Sequence, residues 1–309
     1  MDKTNELIIE TQNLGFGFNK KERVLNNINL KVEKGCIYGF LGPNGAGKTT
    51  TIRLLLGLLD SPENSVKLFD GKFSVNRLKV FSKVGSLIEQ PSLYEHLSGY
   101  DNLEITRSIR KVSRKKVGEV LELVKLSNAA KKYVGTYSLG MKQRLGLAIA
   151  LIADPELLIL DEPVNGLDPN GIVEIRELLK RINKESGTTI FLSSHMLSEI
   201  EKLVTHIGIL NMGELVFQGT TNDLQNIQTF QSEYCIETNN NQAAYELLRH
   251  RFNVTSTENA LIFGHTSNQD NAQIIRELVI NNIGIYSAAF KTKDLEQLFL
   301  KITADYVVN

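Results

Sequence analysis

Cysteine, net charge and long apolar runs are all scarce in this sequence of 309 residues, and each scarcity closes off a class of protein. The two cysteines, Cys36 and Cys235, stand far apart in apolar, strand-like surroundings. That spacing predicts buried free thiols in a reducing compartment rather than a disulfide framework or a thiolate metal site. The 35 basic residues balance 35 acidic ones, so no global field gathers nucleic acid or anionic lipid, and no nucleic-acid partner is expected. No apolar run approaches the ~20 residues of a membrane helix, and the polar start Met1 to Glu6 carries no signal-peptide core. A soluble, cytoplasmic chain is expected, with any membrane role reached through a partner. Internal repeats, low-complexity tracts and long linkers are also lacking.

What the sequence does contain is a glycine-rich run, Gly42-Pro43-Asn44-Gly45-Ala46-Gly47-Lys48-Thr49, which fits the phosphate-loop pattern G-x-x-x-x-G-K-[ST] at every fixed position. An apolar stretch, Cys36 to Leu41, precedes it and a helical pattern from Thr50 to Leu56 follows. Glycine lets the backbone amides come close to phosphate oxygens, and the helix N-terminus adds its partial positive charge. In such a loop Lys48 reaches the β- and γ-phosphates and the Thr49 hydroxyl sits on Mg²⁺. Thr50 opens the helix beside them.

Short strands are expected at 7–11 and 28–32, a first helix at 49–59 and a strand at Gly85 to Ile88. From Glu95 to about Ala150 charged and apolar residues recur at helical spacing, with a start at Asp101 to Glu104 and an apolar stripe from Val117 to Leu126. Leu157-Leu158-Ile159-Leu160 is an unbroken apolar run, as befits a central parallel strand buried on both faces. A helix over 171–183 and a strand over 189–193 follow, so strands alternate with helices and the fold class is α/β with a mainly parallel sheet. Residues 219–226 read as a turn and a short helix. After it come strand 233–238, helix 242–251, strand 260–264, helix 270–281, strand 284–290 and helix 293–302, a small α+β accessory domain. The expected division is 1–225 and 226–309.

Five further features bear on chemistry. Asp161 and Glu162 end the buried strand at the edge where doubly wound sheets bind ligands; Asp161 suits Mg²⁺, and Glu162 suits a general base for an attacking water. Ser138 and Gly140, in the run Tyr137 to Arg144 ahead of a helix expected at 145–151, offer an anion site of hydroxyl and amides. His195 closes the strand at 189–193, where it can touch a γ-phosphate. Asp168 either caps a helix or couples two subunits. Phe18 is either core or an aromatic plate stacking on adenine.

Taken together these motifs resemble the ATP-binding subunits of ABC transporters, over roughly residues 6–225. The resemblance implies a P-loop NTPase of ABC type with a helical subdomain at about 95–150. It makes Gly42 to Thr49 the Walker A loop and Leu157 to Glu162 the Walker B strand, with Ser138 to Gln143 as signature motif. Asp168 becomes the D-loop aspartate, His195 the switch histidine and Phe18 the A-loop aromatic. ATP and Mg²⁺ are then the ligands, with Thr49, Asp161 and Glu89 as metal-facing groups, and Glu162, His195 and Lys48 as the catalytic set. Two positions depart from the family pattern. Leu139 replaces the first signature glycine, and Glu89 aligns with the Q-loop glutamine, unless the register shifts by one to Gln90. Glu89 and the C-terminal domain are similar to the bacitracin-resistance and lantibiotic self-protection ATPases. The implied partners are a second copy of the chain, with two ATP molecules sandwiched head to tail, and integral membrane permease subunits reached near Tyr94, His96 and the Glu89 loop. The implied function is the ATPase of an exporter, for peptide antibiotics or for another drug, lipid, polysaccharide or ion. A soluble ABC ATPase acting on ribosomes or DNA fits less well, for want of a fused second domain or a basic tail.

Overall fold

The computed structural model describes residues 6–19, 22–62, 65–69, 71–230, 233–264 and 266–291, with the backbone alone at 71–76, 228–230 and 291. The helix expected at 293–302 lies outside these residues. Among the described residues no helix is long and apolar enough to cross a membrane.

The chain divides into two compact units, one running to Thr221 and the other beginning at Asn222. The first is built on a six-stranded sheet in the order Glu214–Thr220, His206–Asn211, Ile37–Leu41, Thr189–Ser194, Leu157–Leu160, Val84–Leu87. Neighbours are parallel except at the Glu214–Thr220 edge. Ile37–Leu41, Leu157–Leu160 and Thr189–Ser194 are buried at every position, because helices cover both faces of a parallel sheet and leave no wet side for polar alternation. Phe191 anchors the core, stacked at 5.6 Å on Tyr38 and tilted at 5.3 Å on Phe40.

An antiparallel sheet, Lys31–Glu33, Leu7–Thr11, Val66–Leu68 and Gly71–Lys72, and the ribbon of Leu14–Asn19 with Glu22–Ile28 complete the strands of this unit. The single strand expected at 28–32 is therefore two, interrupted where Thr11 takes up Ile28 and Leu30 through its side chain. Local turn chemistry decides this, which an apolar pattern does not reveal.

The region after the Val84–Leu87 strand is helical at Gly99–Arg110, Lys115–Leu123 and Leu139–Leu151. The first begins before the expected Asp101: Ser98 is the N-cap, and Asp101 is the third residue of a capping box that closes back on it. Val117, Val120, Leu121 and Val124 form its neighbour's buried stripe. Leu139–Leu151 starts six residues earlier than expected, so Gly140 lies inside its first turn. This helix lies against the Val84–Leu87 strand so closely that a Cβ on Gly85 would fall 2.2 Å from the Ala150 carbonyl oxygen. Only glycine permits that approach. Of the turn and short helix expected at 219–226, the helix is present from Thr221, while the residues before it are strand to Thr220 rather than a turn.

The second unit has an antiparallel sheet in the order Val254–Ser256, Leu261–Phe263, Glu233–Thr238, Ile285–Lys291, with helices Asn241–Leu248 and Asn268–Ile280. Its own core contains Tyr234, Ile236, Leu248, Phe263, Ile274 and Leu278. The Val254–Ser256 strand was not legible in the sequence, having only Val254 buried. The fold is the expected α/β class with an α+β addition.

Candidate nucleotide site

Strand register places the chemistry at one edge. Leu41 is level with Ser194, and Leu192 and Leu87 are both level with Leu160. Each following residue therefore emerges at the C-terminal edge of the sheet, and the backbone ties the exits together: Gly42 N–H donates to Ser194 O at 3.3 Å and Asp161 N–H to Leu87 O at 2.8 Å.

The glycine loop leads directly into helix Lys48–Leu55, which ends four residues before the expected Leu59. Its N-cap, Gly47, sits at φ 108° and supplies no side-chain cap, so the first-turn amides have no side-chain acceptor. A Cβ on Gly47 would meet Leu25 Cδ2 at 2.5 Å, so the loop tolerates only glycine there. Pro43 and Ala46 close the turn between them, with Ala46 N–H donating to Pro43 O at 3.2 Å. The loop borders a cavity of about 400 Å³ whose walls include Asn44, Gly45, Gly47, Lys48, Thr49, Thr50, Glu162 and Asn165. Bare amides at a helix start, lined with glycine and backed by an ammonium, constitute an anion cradle.

Lys48 is only 6% exposed. Its Nζ donates to Gly42 O at 2.7 Å and Pro43 O at 3.2 Å, and lies 3.3 Å from Glu162 Oε1. The other Glu162 oxygen meets His195 Nδ1 at 2.8 Å. Asp161, 1% exposed, accepts from Thr49 Oγ1 at 2.8 Å and from Ser193 Oγ at 2.6 Å. Two hydroxyl donors thus satisfy a carboxylate that burial alone would penalise. Ser193 Oγ also accepts the Glu162 N–H at 2.8 Å. Thr49 and Asp161 present oxygen donors only, the set a hard cation such as Mg²⁺ takes.

Other candidates lie elsewhere. Ser138 and Gly140 border a second cavity of about 410 Å³ with Gly166, Leu167 and Asp168, apart from the Lys48 cavity within one chain. Ser138 Oγ accepts Met141 N–H at 3.3 Å as an N-cap. Asp168 Oδ1 accepts Gly171 N–H at 3.0 Å and so caps helix Pro169–Ser186, the first of its two open readings. Phe18 is 64% exposed, edge-on to Phe16 and outside the walls of the Lys48 cavity. Glu89 is also exposed, at φ 55°, and its carboxylate is taken by Arg53 at 2.6 Å. In this structure its bonded partner is a guanidinium, not the Thr49–Asp161 pair. Tyr94 and His96 pack edge to face near it in sequence, at 6.1 Å between rings.

Ser193 and Arg53 have clear roles here that escaped the sequence reading, and Gln143, singled out only as the end of the signature run, has a further one. Ser193 is masked by its unbroken buried strand, although parallel register sets it beside Asp161. Arg53 has no motif. Gln143 left a signal: it shares the 143, 147, 151 helical spacing with buried Leu147 and Leu151, a polar residue on an apolar stripe.

A sequence model of the ABC transporter family matches residues 25–165. The bacitracin transport ATP-binding protein BcrA of Enterococcus faecalis is 41% identical over 300 residues, covering 96% of each chain. The lantibiotic transport ATP-binding protein SrtF of Streptococcus pyogenes is 42% identical over 243 residues, covering 78% of this chain and all of SrtF. Among solved structures, cbiO1 of Clostridium perfringens, part of the ABC transporter complex cbiONQ, superposes with a TM-score of 0.66 at 26% identity, covering 72% of this chain and 91% of cbiO1. A dimeric ATP-binding cassette bound to ADP and Pi has a TM-score of 0.62 at 24% identity, covering 69% and 98%, and so shares the fold.

Proposed function

From the premise that this chain belongs to the ABC transporter ATP-binding family, and is an ATPase subunit coupled to membrane transport, we propose that it energises export of a peptide antibiotic of the bacitracin or lantibiotic type. The cargo class is supported by BcrA, similar along nearly the whole chain, and by SrtF. The hydrolytic chemistry is supported by one observation above others: Lys48, Thr49, Asp161, Glu162 and His195 meet at a single sheet edge, beside the glycine loop.

In this reading the loop amides and Lys48 bind the triphosphate. Glu162 polarises the attacking water and accepts its proton. His195 orients that carboxylate and faces the transferring phosphoryl group, where Lys48 offsets developing charge. Thr49 and Asp161 would hold Mg²⁺, which would neutralise phosphate charge. Two copies of the chain pair head to tail, so that Ser138 and Gly140 of one meet the nucleotide of the other; their separation from Lys48 within one chain suits this arrangement. Opening after hydrolysis moves separate permease subunits through the Glu89 loop and the segment at Tyr94 and His96.

The test is co-expression with candidate permease frames, sought among the neighbouring genes, in a sensitive host. Bacitracin or lantibiotic resistance should rise, the chain should co-purify with the membrane protein, and Glu162→Gln should abolish the gain. A host that becomes no more resistant to either antibiotic, while the complex still hydrolyses ATP, would reassign the cargo.

A further inference from the structure

Glu162 has an unusual backbone for a residue asked to hold a reactive carboxylate. Its φ is 49°, in the left-handed region that side chains with a Cβ avoid. Such a conformation persists only where the surroundings over-determine it. On its N-terminal side the Glu162 amide is fixed by Ser193 Oγ, as described above. On its C-terminal side the next carbonyl, Pro163 O, accepts a hydrogen bond from Gln143 Nε2 at 2.8 Å. Pro163 has a ring-locked φ, so a bond that fixes its carbonyl also fixes the peptide leaving Glu162.

Gln143 is 6% exposed and sits in helix Leu139–Leu151, where Leu145, Leu147, Ala148 and Leu151 are buried around it. A buried amide is costly unless bonded, and its bond is spent on the residue after Glu162. The same helix touches the far end of the turn as well: Leu139 Cδ2 lies 3.3 Å from where a Cβ on Gly166 would be, and Leu167 Cδ2 lies 3.8 Å from that point on Gly140. Within the turn, Asn165 N–H donates to Glu162 O at 3.1 Å and Leu167 N–H to Val164 O at 3.2 Å. One helix therefore braces the 162–167 turn at both ends.

We propose that Gln143 is a positioning residue for hydrolysis: through Pro163 it holds Glu162 in the left-handed conformation that aims its carboxylate at the site. The inference rests on the reading of Glu162 as the water-polarising group. Gln143 does not line the Lys48 cavity and its amide is given to Pro163 O, so removing its donor should lower turnover and leave nucleotide binding alone.

The experiment compares Gln143→Met, which keeps length and loses the donor, and Gln143→Glu, which sets a carboxylate against a carbonyl. Full-length chain is assayed for kcat, KM and affinity for a fluorescent ATP analogue, together with its thermal unfolding midpoint. Both variants should lose about 10²-fold in kcat, the scale of a misplacement near 1 Å, with KM and affinity within about threefold of wild type. Added to Glu162→Gln, Gln143→Met should cost nothing further, because the group it aims is gone. Wild-type kcat in both variants overturns the proposal. So does a loss of ATP affinity or folding that parallels the loss of kcat, which would make Gln143 an ordinary core residue. An equal further loss in the Glu162→Gln background overturns it too. Failure of the underlying reading looks different: Glu162→Gln would itself then hydrolyse ATP at the wild-type rate.

Discussion

His195 and Glu162 are joined by a 2.8 Å hydrogen bond, Nδ1 to Oε2, across the exits of two adjacent parallel strands. The carboxylate is shared, because its second oxygen faces the Lys48 ammonium at 3.3 Å. Histidine orients the group and lysine balances its charge, so any change to Glu162 is felt at both neighbours.

Glu162→Gln should separate binding from hydrolysis. The amide keeps the shape but cannot take a proton, and it releases Lys48 from its counter-charge. Hydrolysis is expected to fall by about 10²–10⁴-fold, while ATP affinity holds or tightens and nucleotide-dependent dimers accumulate on gel filtration. A variant that hydrolyses normally and never dimerises would remove Glu162 from its role.

Lys48→Ala should lose the nucleotide. The deleted ammonium is buried and held by two loop carbonyls, so nothing nearby substitutes for it. An ATP affinity at least about tenfold weaker, roughly 1.4 kcal/mol, and undetectable ATPase activity are expected. Equilibrium titration with a fluorescent nucleotide measures the first.

Ser193→Ala should damage stability and turnover together. It strips one donor from Asp161 and leaves the Glu162 amide without its acceptor. A buried polar group left unpaired costs about 1–3 kcal/mol, readable in urea denaturation, and a fall in kcat should accompany it.

Arg53 and Glu89 should couple weakly in stability. Their side chains are 40% and 61% exposed, so a double-mutant cycle is expected to give under about 1 kcal/mol. Glu89→Gln should keep ATPase activity while changing resistance in cells; unchanged resistance would deny Glu89 a part in coupling.

The thiols should differ in reactivity. Burial, with Glu33 nearby, pushes the Cys36 thiol up to about 12, so it stays protonated and inert at pH 8. Cys235 is only partly buried. Native protein should therefore alkylate at one thiol per chain, and at two after denaturation, as counted by mass spectrometry.

The sequence by itself determined the elements whose signal is local. The glycine loop, the unbroken Leu157 to Leu160 strand and the Asp161–Glu162 pair carry their chemistry in contiguous residues, and strand–helix alternation sets the fold class. Helix starts were less legible at Ser98 and Ser138, because a cap is a hydrogen bond formed only once the chain turns. The tertiary structure alone decided which distant side chains share an atom. Parallel register set Ser193 beside Asp161, helix packing brought Gln143 to Pro163, and the Glu89 loop fell within reach of Arg53. These pairings join residues between 20 and 36 positions apart, and they are fixed by sheet order and by helices meeting the turns at the sheet edge, which no local pattern encodes.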